Sequence, residues 1–197
     1  MENEAIFSAG EFGERRIRVR HAMAERGIDT LITHSAPNIY YLTGHHTLNL
    51  WDYQCLVLPQ SDEPFMVLWH FERGRFEAST VDTQVEYYDT LADPIDCTVQ
   101  AVRQRVLDVG RLGIDAHSLN LLPAQYLRLC QGFEPLPVVD SSTLIELVRM
   151  VKSRSEIEIM REAAEITDGA MRVAFETVRE GVSDTEICAT VTKYLVE

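Results

Sequence analysis

"GIDTLITHSAPNIYYLTGHHTLNLWDYQCLVLP", residues 27–59, decides the fold. Gly27 breaks what precedes it, and "DTLITHS" is short, apolar and rich in β-branched residues, which predicts a buried strand. "NIYYLTG" reads as a second apolar stretch of strand type, ended by Gly44. Two adjacent histidines and a run of large polar and aromatic residues follow, before "YQCLVLP" predicts another strand. Its neighbour "PFMVLWHF" lies across "QSDE", a polar connector of hairpin length.

Outward from this block, helices alternate with strands. On the N-terminal side, Ser8 and Glu11 fit an S-x-x-E capping box, and Phe12, Val19 and Met23 recur at helical spacing up to Gly27. On the C-terminal side, Asp93-Pro94 is a helix start. Ile95, Val99, Val102, Val106 and Val109 form its apolar stripe, with Gly110 as the stop. "RLGIDA" and "PLPVVD" predict strands on either side of the helical "PAQYLRLCQ". The alternation predicts an α/β domain with a mixed sheet flanked by helices, over residues 1–145.

Residues 146–197 have a different pattern. Ser155-x-x-Glu158 predicts a helix start, and Ile157, Met160, Ala164, Thr167, Met171, Ala174 and Val178 step by threes and fours. Ser183-x-x-Glu186 starts another helix, with Ile187, Val191, Tyr194 and Leu195 on one side. This apolar stripe is still running at "KYLVE", so the segment is expected to be a linker plus the first helices of a second, incomplete domain. A helical tail folded back on the first domain is the alternative.

The chain has 197 residues and a formal charge of −13. Such a surface repels phosphate backbones, so neither nucleic acid nor an anionic membrane is an expected partner. Cys55, Cys97, Cys130 and Cys188 are too scattered for a zinc ribbon or a disulfide framework. Cys55 and Cys188 sit in apolar settings and read as reduced core thiols. The acidic "MENEAIFSAGEF" lacks the basic start of a signal peptide, and no apolar run approaches the ~20 residues of a membrane span. A cytoplasmic location is expected.

Asn38-Ile39-Tyr40-Tyr41-Leu42-Thr43-Gly44 matches an "N-I-x-Y-x-x-G" element, and Lys152 through Ile166 match "K-S-x-x-E-I-x-x-M-R-x-A-A-x-I". Together, on either side of an α/β pattern, they make the chain resemble the creatinase, prolidase and aminopeptidase P family of two-domain pita-bread enzymes. The resemblance implies the N-terminal portion of a homodimeric hydrolase of amide, peptide or amidino C–N bonds, acting on a small molecule or short peptide. It implies that a parent enzyme could hold two divalent metal ions (Mn, Zn or Co) on two Asp, one His and two Glu. All of those positions would fall beyond Glu197, so no catalytic residue, metal ligand or cofactor is assigned within this chain, which is expected to be inactive by itself. A stand-alone binding or interaction module without catalysis is the competing expectation.

In such dimers the loop after the glycine leans over the partner's active site. The resemblance therefore implies a partner-facing, substrate-binding role for His45, His46, Trp51, Asp52 and Tyr53: flat contact from Trp51 and Tyr53, polar contact from the others. The alternative is that both aromatics cover the edge of their own sheet. An ungapped reading puts Leu50 and Asp52 where creatinase has an aromatic residue and an arginine. A carboxylate there repels the substrate carboxylate that arginine would bind, which argues against creatine. As a metal site, His45-His46 is poorly supplied with further ligands. The mixed charges of "HFERGRFEAS" predict an exposed helix start, and Asp115-Ala116-His117-Ser118 a strand end and turn rather than a catalytic triad.

Overall fold

The computed structural model describes residues 6–47, 51–79 and 83–197. The chain divides into Met1–Met150 and Val151–Glu197. That boundary is five residues later than the sequence pattern suggested. The reason is that helix α6 (Leu144–Met150) buries Leu144 and Ile145 in the first unit's core.

In the first unit six strands form one sheet: β1 (Thr30–Thr33), β2 (Cys55–Pro59), β3 (Phe65–Trp69), β4 (Gln84–Tyr88), β5 (Leu112–Ile114) and β6 (Val138–Asp140), in the order β4-β3-β2-β1-β5-β6. β1 pairs antiparallel with β2 and parallel with β5, while β2–β3 is the antiparallel hairpin expected across the QSDE connector. β3–β4 and β5–β6 are parallel, so the sheet is mixed.

The period-2 rule of strands divides the core into two layers. Ile32, Cys55, Val57, Phe65 and Val67 face α4 (Pro94–Arg105) and α5 (Pro123–Phe133). Their neighbours Leu31, Leu56, Leu58, Met66 and Leu68 face α1 (Ala9–Glu25), α2 (Ala36–Thr43) and α6. Helix α3 (Arg73–Ser79) follows a short 3-10 turn at His70–Glu72 and buries Phe76 in the second layer.

The strand expected at "NIYYLTG" is instead helix α2. Pro37 sits in its first turn, Asn38, Ile39, Tyr41, Leu42 and Thr43 are buried, and Gly44 closes it in the left-handed conformation at φ 77°. Asn38, fully buried, donates to Glu146 Oε1 at 2.8 Å and accepts from Arg149 at 2.8 Å, which ties α2 to α6. Arg15 of α1 donates to the carbonyl of Tyr41 at 3.2 Å and to Glu11 at 3.1 Å, its guanidinium over the Tyr41 ring.

Two capping expectations also shift. Helix α4 ends at Arg105: Val106 turns extended and stays buried, while the Leu107 amide donates to Asp62 at 3.1 Å, so the stripe does not continue to Val109. Helix α7 (Arg154–Thr177) is capped by Ser153 with Glu156, not by Ser155 with Glu158. Ser153 Oγ accepts from the Glu156 amide, Glu156 accepts from the Ser153 amide, and Glu158 pairs with Arg154 instead.

In the second unit α7 packs against α8 (Asp184–Val196), which starts at the Ser183/Glu186 box as expected. Ala170 is buried there, whereas Ile157, Met160, Met171 and Val178 remain exposed. Cys188 is exposed as well, contrary to its core reading, because α8 turns Ile187 and Val191 inward in preference to it.

At Gly44 an added Cβ would lie 3.0 Å from both the Phe12 ring and the Ser79 carbonyl, in a backbone region already strained for side chains. Gly44→Ala is expected to cost about 2 kcal/mol, combining left-handed strain with overpacking, read from urea unfolding midpoints.

Candidate functional site

The loop leaving α2 separates the five residues singled out from sequence. His45 follows Gly44 inward, 1% exposed, its amide donating to Thr43 Oγ1 at 3.0 Å and its ring tilted against Phe76 with centroids 5.7 Å apart. Both its ring nitrogens lack a hydrogen-bond partner, and burial pulls its pKa down to about 4. His46 is exposed, its ring set edge-on to Tyr40. Thr47 donates to Glu72 at 2.9 Å, which fastens the loop to the turn before α3. Trp51 is 89% exposed and Asp52 half-buried beside it, while Leu50 lies outside the described residues.

Tyr53 corrects an expectation: it offers no outward surface. Its ring is buried, its hydroxyl lies 3.2 Å from His34 Nε2 and 3.0 Å from Thr98 Oγ1, and its carbonyl accepts from the Tyr88 hydroxyl at 2.7 Å. A residue buried just before a central strand must pair its polar groups internally, and these partners achieve that. His45 is likewise inside, so the outward-facing set reduces to His46, Trp51 and Asp52.

A second polar cluster, which the sequence did not flag, sits where β1 and β5 end. Thr33 donates to Asp115 Oδ2 at 2.5 Å, and Asp115 is 6% exposed. Burial pushes its carboxyl up to about 6, a rise offset in part by the Thr33 hydroxyl and by the amides of His34 and Ser35. His34 is fully buried, which lowers its pKa to about 3 and keeps its imidazole neutral. The turn expected at Asp115–Ser118 is present, with the Ser118 amide donating to the Asp115 carbonyl at 3.3 Å. His117 turns to Asp140 at 3.9 Å, so no triad assembles.

The charged "HFERGRFEAS" is the 3-10 turn plus α3, with Arg75 3.7 Å from Glu72. Among the described residues no group of three or more His, Cys, Asp or Glu side chains could hold a metal ion. The described residues therefore do not fit a two-metal centre. No helix among them is long and apolar enough to cross a membrane.

The model of the creatinase/prolidase N-terminal domain matches residues 15–151. The chain belongs to this family. Over 172 residues it is 26% identical to a putative dipeptidase, YkvY, of Bacillus subtilis, covering 87% of this chain and 47% of that protein. It is 29% identical over 192 residues to the creatinase of a Bacillus species, covering 96% and 46%. The crystal structure of a prolidase from Thermococcus sibiricus superposes with a TM-score of 0.77 at 20% identity, covering 93% of this chain and 49% of that one. The chain thus spans about half the length of the curated relatives it matches, and resembles the N-terminal half of creatinase and Xaa-Pro dipeptidase family hydrolases.

Tyr53→Phe removes the hydroxyl that His34 and Thr98 share, and is expected to cost about 1–3 kcal/mol of stability, read from urea unfolding. Acidity gives a second expected outcome. His34 and His45, with pKa values held down to about 3 and about 4, contribute stability that is full above an unfolded value of ~6.5 and is lost as pH falls toward those values. Asp115, raised to about 6, acts in the opposite sense: its contribution is present below the ordinary carboxylate value and lost as pH rises through 6. Two groups outweigh one, so the urea midpoint should fall from pH 6.5 to 4.5, and a flat or rising midpoint would contradict these assignments.

Proposed function

We propose that the chain is the N-terminal portion of a C–N-bond hydrolase of the creatinase and Xaa-Pro dipeptidase type. In this reading it supports a cytoplasmic homodimer and shapes a substrate pocket without carrying the reactive groups. The observation that carries the reading is the division of the loop after Gly44. Tyr53 is locked inside by three hydrogen-bonding partners, while Trp51, two residues earlier, stands 89% exposed beside Asp52. A large aromatic held outward on a loop pinned at its exit is what a protein or ligand contact requires. The names of the similar proteins, a creatinase and a putative dipeptidase, support the reaction class.

Asp52 bears on the substrate. A half-buried carboxylate repels a substrate carboxylate, which disfavours creatine and leaves small amides, ectoine-like cyclic compounds and short Xaa-Pro peptides. Any metal ions of a parent enzyme belong to its other half in this reading.

The 197-residue chain is expected to sediment as a dimer and to turn over neither Xaa-Pro dipeptides, creatine nor ectoine. Turnover that follows the pure protein overturns the reading. In a longer native polypeptide, Trp51→Ala is expected to raise KM about tenfold with little change in kcat, as removal of a binding contact does. A native subunit mass of 22.4 kDa would favour the stand-alone binding module instead.

A further inference from the structure

The parallel half of the sheet ends in a cavity of about 300 Å³ that none of the described residues of the loop after Gly44 lines. It lies at the carboxyl ends of β1, β5 and β6, between Ser35, Asp115, Ser118, Ser142, Thr143 and Glu146. Open α/β sheets take their ligands at this rim, and the volume is at the lower end of small-molecule sites.

The charge of the cavity is one-sided. Asp115, Glu146 and His117 line it, and among the described residues no lysine or arginine does. Asp115 is 6% exposed; Thr33 holds Oδ2 and the amides of His34 and Ser35 favour the charged carboxyl, yet Oδ1 has no partner at hydrogen-bond geometry. A carboxylate so enclosed is costly unless a cation or further donors reach it. The N-terminus of α2 supplies roughly half a positive charge, which two carboxylates exceed. Arg149 reaches Glu146 only through Asn38, and His117 is drawn to Asp140. Thr143, a β-branched residue held at φ 70°, adds backbone strain at the same rim.

We propose that this cavity binds a small primary ammonium compound, its –NH3+ seated against Asp115 and Glu146 and its remainder among the hydroxyls of Ser118, Ser142 and Thr143. An ammonium brings three donors to a site rich in acceptors. His117 also lines the cavity but is drawn to Asp140, and among the described residues no group of three or more His, Cys, Asp or Glu side chains could hold a metal ion, which favours an organic cation. The site is independent of the proposed hydrolase role and would operate under either reading of the chain.

The test is a 1H–15N titration of the whole chain with n-butylammonium, n-butanol and butyrate at matched concentrations. Butylammonium should shift the amides of residues 34–36, 115–120 and 142–146 saturably, while the alcohol and the anion leave them in place. Asp115→Asn should weaken that affinity about tenfold or more, as loss of a charged hydrogen-bonding partner does. If this variant does not fold, the comparison of the three probes on the unsubstituted chain decides. Equal binding of the alcohol, the same shifts from Mg2+ alone, or no saturable shift at this rim overturns the proposal.

Discussion

Thr30 to Thr33 carry the sheet. This four-residue strand is buried throughout, and it joins the β4-β3-β2 side of the sheet, through its antiparallel pairing with β2, to the β5-β6 side, through its parallel pairing with β5. Its side chains serve both layers, Leu31 among the helices α1, α2 and α6 and Ile32 against α4 and α5. Both polar clusters start from its carboxyl end. Thr33 reaches Asp115 across the parallel pairing, and His34 reaches Tyr53 across the antiparallel side. The strand's position between two differently oriented neighbours is why hydroxyl, imidazole and carboxyl groups converge there without solvent.

Much of this was legible because strands expose their period directly. "CLVLP" and "FMVLW" are continuous apolar runs, as expected of strands covered on both faces, and the polar connector announced their hairpin. The caps at Ser8, Asp93 and Ser183 were legible for the same reason: a side-chain oxygen serving nearby amides is a local event. Helix α2 was not. Its isoleucine, tyrosines and threonine favour a strand locally, and the helix wins through Pro37, Gly44 and the burial of Ile39 and Leu42 against tertiary neighbours that no short window contains. The Asn38 and Gly44 positions of the motif thereby acquire physical roles: a hydrogen-bonded tie to α6, and a turn with no room for a side chain.

The candidate site divides along the same line between local and distant causes. An aromatic-rich loop was visible in sequence, but which rings it buries depends on partners 19 and 45 residues away, His34 and Thr98. Asp115 was read as a turn residue, which it is. Its burial beneath Thr33, 82 residues distant, has no sequence signal. Membership of the creatinase/prolidase N-terminal domain family rests on the match over residues 15–151, which spans both the loop and the rim of the sheet.

The parallel pairing of β1 with β5 also governs the order of assembly during translation. Thr30 meets Leu112 only after roughly eighty further residues have left the ribosome. Until then the outer edge of β1 stands open beside the β2–β3 hairpin. Closure of that edge is a long-range contact, which is the slow kind. A nascent chain of this design is therefore most exposed to chaperones and to aggregation in the interval between synthesis of its third and fifth strands.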